Sequence, residues 1–233
     1  MHVANKIKDF ISFSYPYAAQ TQTPSKQTAT QLKGREKDAE AAENTRTAAT
    51  GFRLLKKPAF AESGLTATEY GNAMHAVMQY IAFENCESVQ SVQKELDRLV
   101  EQGYLSGEQA SAVNAEQIAA FFSTEIGQRL LSNRNVLREF KFSVLVQDAQ
   151  CPSDDPEDQI LLQGVVDCAM ISEDGIQIID FKTDAVDQDY EYVAEKYRIQ
   201  LTVYAEALAK IYDMPVTNAW LYFFKINKFI SIM

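Results

Sequence analysis

The chain lacks a membrane-length apolar run, a pair of neighbouring cysteines and an excess of positive charge. No window of its 233 residues approaches the roughly 18 consecutive apolar residues that a membrane-spanning helix requires. The opening stretch, MHVANKIKDFISFSYPY, has no sustained apolar segment followed by a small-residue cleavage site, so a secretory signal is not expected. The three cysteines, Cys86, Cys151 and Cys168, are scattered and odd in number. They exclude a CxxC metal pair and an even disulfide framework, and they point to a reducing cytoplasm. The net charge is −10, whereas a protein that holds nucleic acid by its own field is ordinarily basic. No GxxxxGK(S/T) phosphate loop occurs, so the chain has no motif for hydrolysing ATP.

What is present is ordinary globular composition, with 46% apolar and 23% charged residues, which excludes collagen, coiled coil and wholesale disorder. The charge is unevenly spread. Residues 1–60 carry ten Lys/Arg against five Asp/Glu, and residues 61–233 carry twelve against twenty-seven. A basic arm of +5 thus precedes an acidic body of −15. Solubility and attraction between the two parts explain this more readily than a DNA-holding arm. Residues 18–50 are rich in Ala, Thr, Gln, Lys and Glu and read as a linker or wrapping arm, part of it helical within 28–49. The organisation expected is an arm over 1–60 and a folded domain over 61–233.

Thr66-Ala-Thr-Glu69 has capping-box spacing and predicts a helix start. Met74, Val77, Met78 and Ile81 then form one apolar stripe. Further helices are expected over 89–102, 107–121 and 123–131. The texture changes at Val136, where Phe140, Phe142, Val144 and Val146 alternate with polar residues, as a half-buried strand requires. Strands follow over 160–171 and 176–182, joined by the turn Glu173-Asp-Gly175. A helix is expected over 190–212 with Leu201, Ala205, Leu208 and Ile211 inward, then an apolar strand over 219–224. Hairpin-linked strands followed by a helical crossover predict an α/β fold with a mixed sheet flanked by helices.

The chemistry concentrates in Gly164-Val-Val-Asp167 and Ile179-Asp180-Phe-Lys182. Asp167 and Asp180 are thirteen residues apart on consecutive strands, so a tight turn between them brings both to neighbouring positions. Asp180 and Lys182 are two apart and project from one face. Two carboxylates and an ammonium at one sheet end suit metal-assisted phosphodiester hydrolysis. Hard oxygens hold Mg²⁺, and the lysine orients a water or offsets charge at phosphorus. Alone, each piece is ordinary: an isolated Asp-x-Lys is a solvated strand face, Glu139 a surface residue, and a helical histidine such as His75 a half-buried packing partner.

Taken in order, Gly71-Asn-Ala-Met-His75, Glu139, Gly164-Val-Val-Asp167, Asp180-Phe-Lys182 and Gln200-Leu-Thr-Val-Tyr204 resemble the RecB-type nucleases of the PD-(D/E)xK, restriction-endonuclease-like superfamily. Ser14-Tyr-Pro-Tyr17, Gln31-Leu-Lys33, Asp180-Phe-Lys-Thr-Asp184 and Leu221-Tyr-Phe-Phe224 are similar to the nuclease domains of the AddA-type (RexA) subunits of bacterial AddAB (RexAB) helicase–nucleases. This resemblance implies that His75, Asp167, Asp180 and the Phe181 carbonyl bind metal. It implies that Lys182 is the catalytic lysine, Glu139 an auxiliary acid, and Gln200 and Tyr204 a helix motif that supports the site and contacts DNA. It further implies Mg²⁺, with Mn²⁺ as substitute, and a single DNA strand, the 3′-terminated one, delivered by a helicase part of the same polypeptide. An AddB-type (RexB) subunit would be the partner, in double-strand-break repair by recombination. The iron–sulfur cluster of the AddB-type subunits needs four cysteines and is not expected here. The competing reading is a catalytically silent interaction module that keeps the fold.

Overall fold

The computed structural model describes residues 25–29, 64–147, 159–183 and 190–233. The acidic loop after the first long strand, the motifs at 14–17 and 31–33, Asp184, and the helix expected within 28–49 beyond Ala29 lie outside the described residues.

Helix α1 (Ala67–Tyr80) begins at the capping box anticipated from sequence: the Thr66 side chain accepts from the Glu69 amide, and the Glu69 carboxylate accepts from the Thr66 amide at 2.7 Å. Its stripe Met74, Val77, Met78 and Ile81 is fully buried. A 3₁₀ turn, Phe83–Asn85, leads to α2 (Val89–Glu101), α3 (Gly107–Ala112), α4 (Ala115–Phe122) and α5 (Glu125–Ser132). The single helix expected over 107–121 is broken at Val113. The Asn114 side chain accepts the Glu116 amide at 2.8 Å, so this residue caps a new helix instead of continuing the old one.

Strand β1 (Lys26–Thr28) is followed by β2 (Val136–Gln147), β3 (Gln159–Ser172), β4 (Gly175–Lys182), helix α6 (Tyr190–Tyr212), β5 (Val216–Phe223), a 3₁₀ turn and β6 (Lys228–Ser231). The strands form one mixed six-stranded sheet. β2, β3 and β4 form an antiparallel meander, and α6 carries the chain over to β5, which lies parallel to β4. β1 runs parallel to β3 through Leu161–Gln163. Three residues of the stretch read as an arm therefore belong to the sheet. β6 was not anticipated; it is short and flanks β5 antiparallel. The β3–β4 turn is tight, with Ser172 paired to Gly175 at φ +130. A Cβ at Gly175 would lie 2.5 Å from the Pro215 carbonyl oxygen, so only glycine closes this turn.

Helices α1–α5 cover one face of the sheet, around Phe121, Phe122, Phe181, Tyr222 and Phe224. Helix α6 covers the other, with Leu201, Tyr204, Ala205 and Leu208 on Leu162, Val166, Ile178 and Leu221. Ile211, expected inward, is 41% exposed. Repeated steps of three lag behind the helical turn, and Tyr212, four after Leu208, returns to the buried face instead.

Candidate active site

The register that pairs Cys168 with Ile179 sets the next positions, Asp167 and Asp180, side by side. The Phe181 amide donates to Asp167 Oδ2 at 2.8 Å, tying the two strands at this point. Asp180 is buried. The Lys182 ammonium lies 2.5 Å from Asp180 Oδ2. That oxygen has no partner in hydrogen-bond geometry among the described residues.

Both β2 and β3 change the face they present here. Leu137 and Phe140 pack in the same core cluster although they are three apart, and so do Val166 and Ala169. The alternation therefore slips by one on each strand, at Glu139 and Asp167, which stand opposite one another in the register that pairs Arg138 with Cys168 and Phe140 with Val166. Glu139 has φ +48, a left-handed backbone that costs a non-glycine residue energy and clusters at functional sites.

Helix α1 brings His75 to this kink. Its Nδ1 lies 3.5 Å from Glu139 Oε1 and 3.5 Å from Asp167 Oδ1. Gly71, one turn earlier, lets the helix approach closely: a Cβ there would meet Thr183 Oγ1 at 3.3 Å. Donor atoms of His75, Glu139 and Asp167 all lie within 4.8 Å of one another. The structure thus gathers these three, while Asp180 sits against Lys182. Phe181 places its ring in the core and its amide on Asp167. Gln200 Nε2 donates to the Tyr204 hydroxyl at 2.6 Å within the α6 core. The Tyr204 ring packs edge-on to Phe142 with centroids 5.8 Å apart. A Cβ at Gly164 would lie 2.5 Å from Phe142 and 3.0 Å from Tyr204, so the glycine before Asp167 makes room for this pair.

The electrostatics are those of an acidic pocket suited to a cation. Burial opposes charge on His75, but hydrogen bonds to Asp167 and Glu139 and the field of Asp180 outweigh it and push its pKa up to about 10. Burial, together with Asp167 and against the pull of Lys182, raises Asp180 to about 6. Burial works against the Lys182 charge, yet Asp180 and Asp167 hold it protonated. Burial lifts Tyr204 to about 12. A folded-state pKa above the ordinary value means that the proton stabilises the fold, and that this contribution disappears as pH rises through the folded pKa. In excess chelator, the melting temperature is expected to fall as pH rises from 6.5 towards 10, the His75 window. His75→Gln should flatten that fall. An equal slope in both proteins, read by thermal denaturation, would show that His75 carries no such proton.

Tyr197 is a site residue that motif reading missed. Its ring lies 4.1 Å from the Lys182 ammonium. The available signal was its place three residues before Gln200 and seven before Tyr204, on one face of α6. Of the cysteines, Cys86 and Cys168 are buried free thiols. Among the described residues, no helix is long and apolar enough to cross a membrane.

A family model described as the PD-(D/E)XK nuclease superfamily matches residues 22–230. The chain is 32% identical to the AddA-type chain of an ATP-dependent helicase/nuclease from Bacillus cytotoxicus over 240 residues, which is 98% of this chain and 19% of the relative. It is 35% identical to the protein of the same name in a Thermoanaerobacter species, over 92% of this chain and 18% of the relative. For Bacillus mycoides the figures are 32%, 97% and 19%. The chain spans about a fifth of the length of the curated relatives it matches.

Proposed function

The chain belongs to the PD-(D/E)XK nuclease superfamily, and we propose that within it this chain is a metal-dependent deoxyribonuclease that cleaves single strands exonucleolytically. The observation that carries the reading is the complete set of acid, acid and lysine at one sheet end, with Lys182 2.5 Å from Asp180 and Asp167 beside it. A scaffold that had lost its chemistry would be under no pressure to keep a buried carboxylate oxygen without a hydrogen-bond partner, as Asp180 does. That oxygen and the His75–Glu139–Asp167 donor group suit a hard divalent cation, Mg²⁺ or Mn²⁺. His75, Asp167, Asp180 and the Phe181 carbonyl would hold it, with Glu139 as auxiliary acid. When bound, such a cation supplies Lewis-acid polarisation of the phosphoryl oxygen and a more acidic water. Lys182 places a fixed positive charge where negative charge develops at phosphorus, in a site mostly shielded from water. Gln200 and Tyr204 hold α6 against the strands that carry the acids, and contact the DNA strand.

The relatives, named as ATP-dependent helicase/nucleases, support a wider setting: a helicase part in the same polypeptide, an AddB-type partner, and double-strand-break repair in the cytoplasm. In that setting the motor delivers the strand, so the nuclease needs little affinity of its own. The −15 body agrees, because its field repels phosphate.

The test is cleavage of labelled single-stranded DNA by this chain with Mg²⁺, Mn²⁺ or excess chelator, beside anisotropy titrations in Ca²⁺. Cleavage is expected in Mg²⁺ and Mn²⁺ and none in chelator. Binding is expected no tighter than the non-specific range of about 10⁻⁴–10⁻⁶ M at physiological salt. Undiminished cleavage in chelator refutes the metal. A folded chain inert with every metal is the silent module. Nanomolar binding refutes delivery.

A further inference from the structure

We propose that Tyr197 is a positioning residue for Lys182: its ring face holds the lysine ammonium in place beside the two acids. The inference rests on the nuclease reading above and adds to that same site a residue outside the sequence motifs.

The Lys182 side chain is only 13% exposed, so its ammonium has lost most of its water. An ammonium has three donors to satisfy. Asp180 Oδ2 is within 2.5 Å but is not aligned as an acceptor. The Tyr197 ring, with its centroid 4.1 Å from Nζ, supplies the other surface, and a ring face attracts a desolvated cation. The two contacts differ in what happens when a divalent cation is held by Asp180. That cation competes with the ammonium for the same carboxylate charge. The ring offers the cation no ligand atom in this contact and keeps its hold on the lysine. Tyr197 thus keeps the lysine aimed in the state in which it acts.

The ring is itself held. Tyr197 packs on the α6 side of the core. One turn further along the same helix face, the Gln200–Tyr204 hydrogen bond fixes α6 to the strands. Tyr197 is therefore placed before any substrate arrives, as a positioning group must be.

Two substitutions separate positioning from packing. Tyr197→Phe keeps the ring; Tyr197→Leu keeps apolar bulk and removes the ring. Each is measured for kcat and KM on labelled single-stranded DNA in Mg²⁺, and for the NMR shifts of the Lys182 side chain, assigned by their loss in Lys182→Ala. Tyr197→Phe is expected within about twofold of the parent and retains the ring-current shift of Lys182. Tyr197→Leu is expected to lower kcat about tenfold, or about 1.4 kcal/mol, at unchanged KM, and to lose the shift. A Leu variant with parental kcat overturns the inference, as does an equal loss in both variants. A parent that cleaves nothing overturns the nuclease reading instead. The Lys182 shift then judges the contact by itself, and its presence in the Leu variant refutes it.

Discussion

Lys182→Ala is expected to lower cleavage at least 10²–10⁴-fold, roughly the span of a positioned acid–base group, while leaving divalent-cation binding in place. The expectation follows from what the lysine touches. Its ammonium contacts Asp180 and the Tyr197 ring, and an ammonium has no lone pair for a metal. Without it, Asp180 and Asp167 are less compensated, so a cation should bind at least as tightly as in the parent. Stability should divide the same way. Removing one partner of a buried ion pair leaves an uncompensated charge and costs about 3–5 kcal/mol. The metal-free variant should therefore melt below the parent. Mg²⁺ should recover much of the difference, because a ligand that binds only the native state stabilises it by mass action. Thermal denaturation with and without Mg²⁺, beside a cleavage assay, reads both effects. A variant that loses the Mg²⁺-induced shift along with cleavage would make Lys182 a prop of the metal site and not a group acting on the substrate.

How far the sequence foretold this arrangement depends on whether each feature has a local signature. The Asp167–Asp180 juxtaposition does: their spacing and the Gly175 turn fix a hairpin register, and that register is observed. The start of α1 does too, through the Thr66–Glu69 box. The reversal of alternation at Glu139 does not. A left-handed backbone at a glutamate is imposed by tertiary context, and nothing in Arg138-Glu-Phe-Lys marks it. The periodicity of Phe140, Phe142 and Val144 was legible. Its continuation towards Val136 was not, because the strand changes faces in between. β1 and β6 are three and four residues long, too short to show a period. Tyr197 is invisible to a motif because its role lies in one cross-element contact. The resemblance pointed to His75, Asp167, Asp180 and the Phe181 carbonyl, whereas geometry gathers His75, Glu139 and Asp167 and leaves Asp180 with the lysine.

That difference defines two donor sets, and Asp180→Asn tells them apart. The amide preserves shape and removes the charge. If Asp180 is a ligand, the variant should lose the Mg²⁺-induced thermal shift and fall in cleavage at least as far as Lys182→Ala, because the lysine charge has nothing to act with. If the ion rests on His75, Glu139 and Asp167, the shift should survive. We expect the loss. Asp180 Oδ2 is buried and lacks a hydrogen-bond partner, and an unsatisfied buried carboxylate oxygen is costly unless something completes it. Lys182 does so only in part, since its ammonium is close but misaligned. A divalent cation would supply the missing charge and displace the ammonium towards Tyr197. Glu139→Gln is the matching control. It removes a charge from the geometric cluster while Asp167 and Asp180 remain side by side, and it should retain the Mg²⁺ shift in reduced form. A Glu139→Gln variant that loses the shift, beside an Asp180→Asn variant that keeps it, would place the ion at the strained kink of β2 and not between the two aspartates.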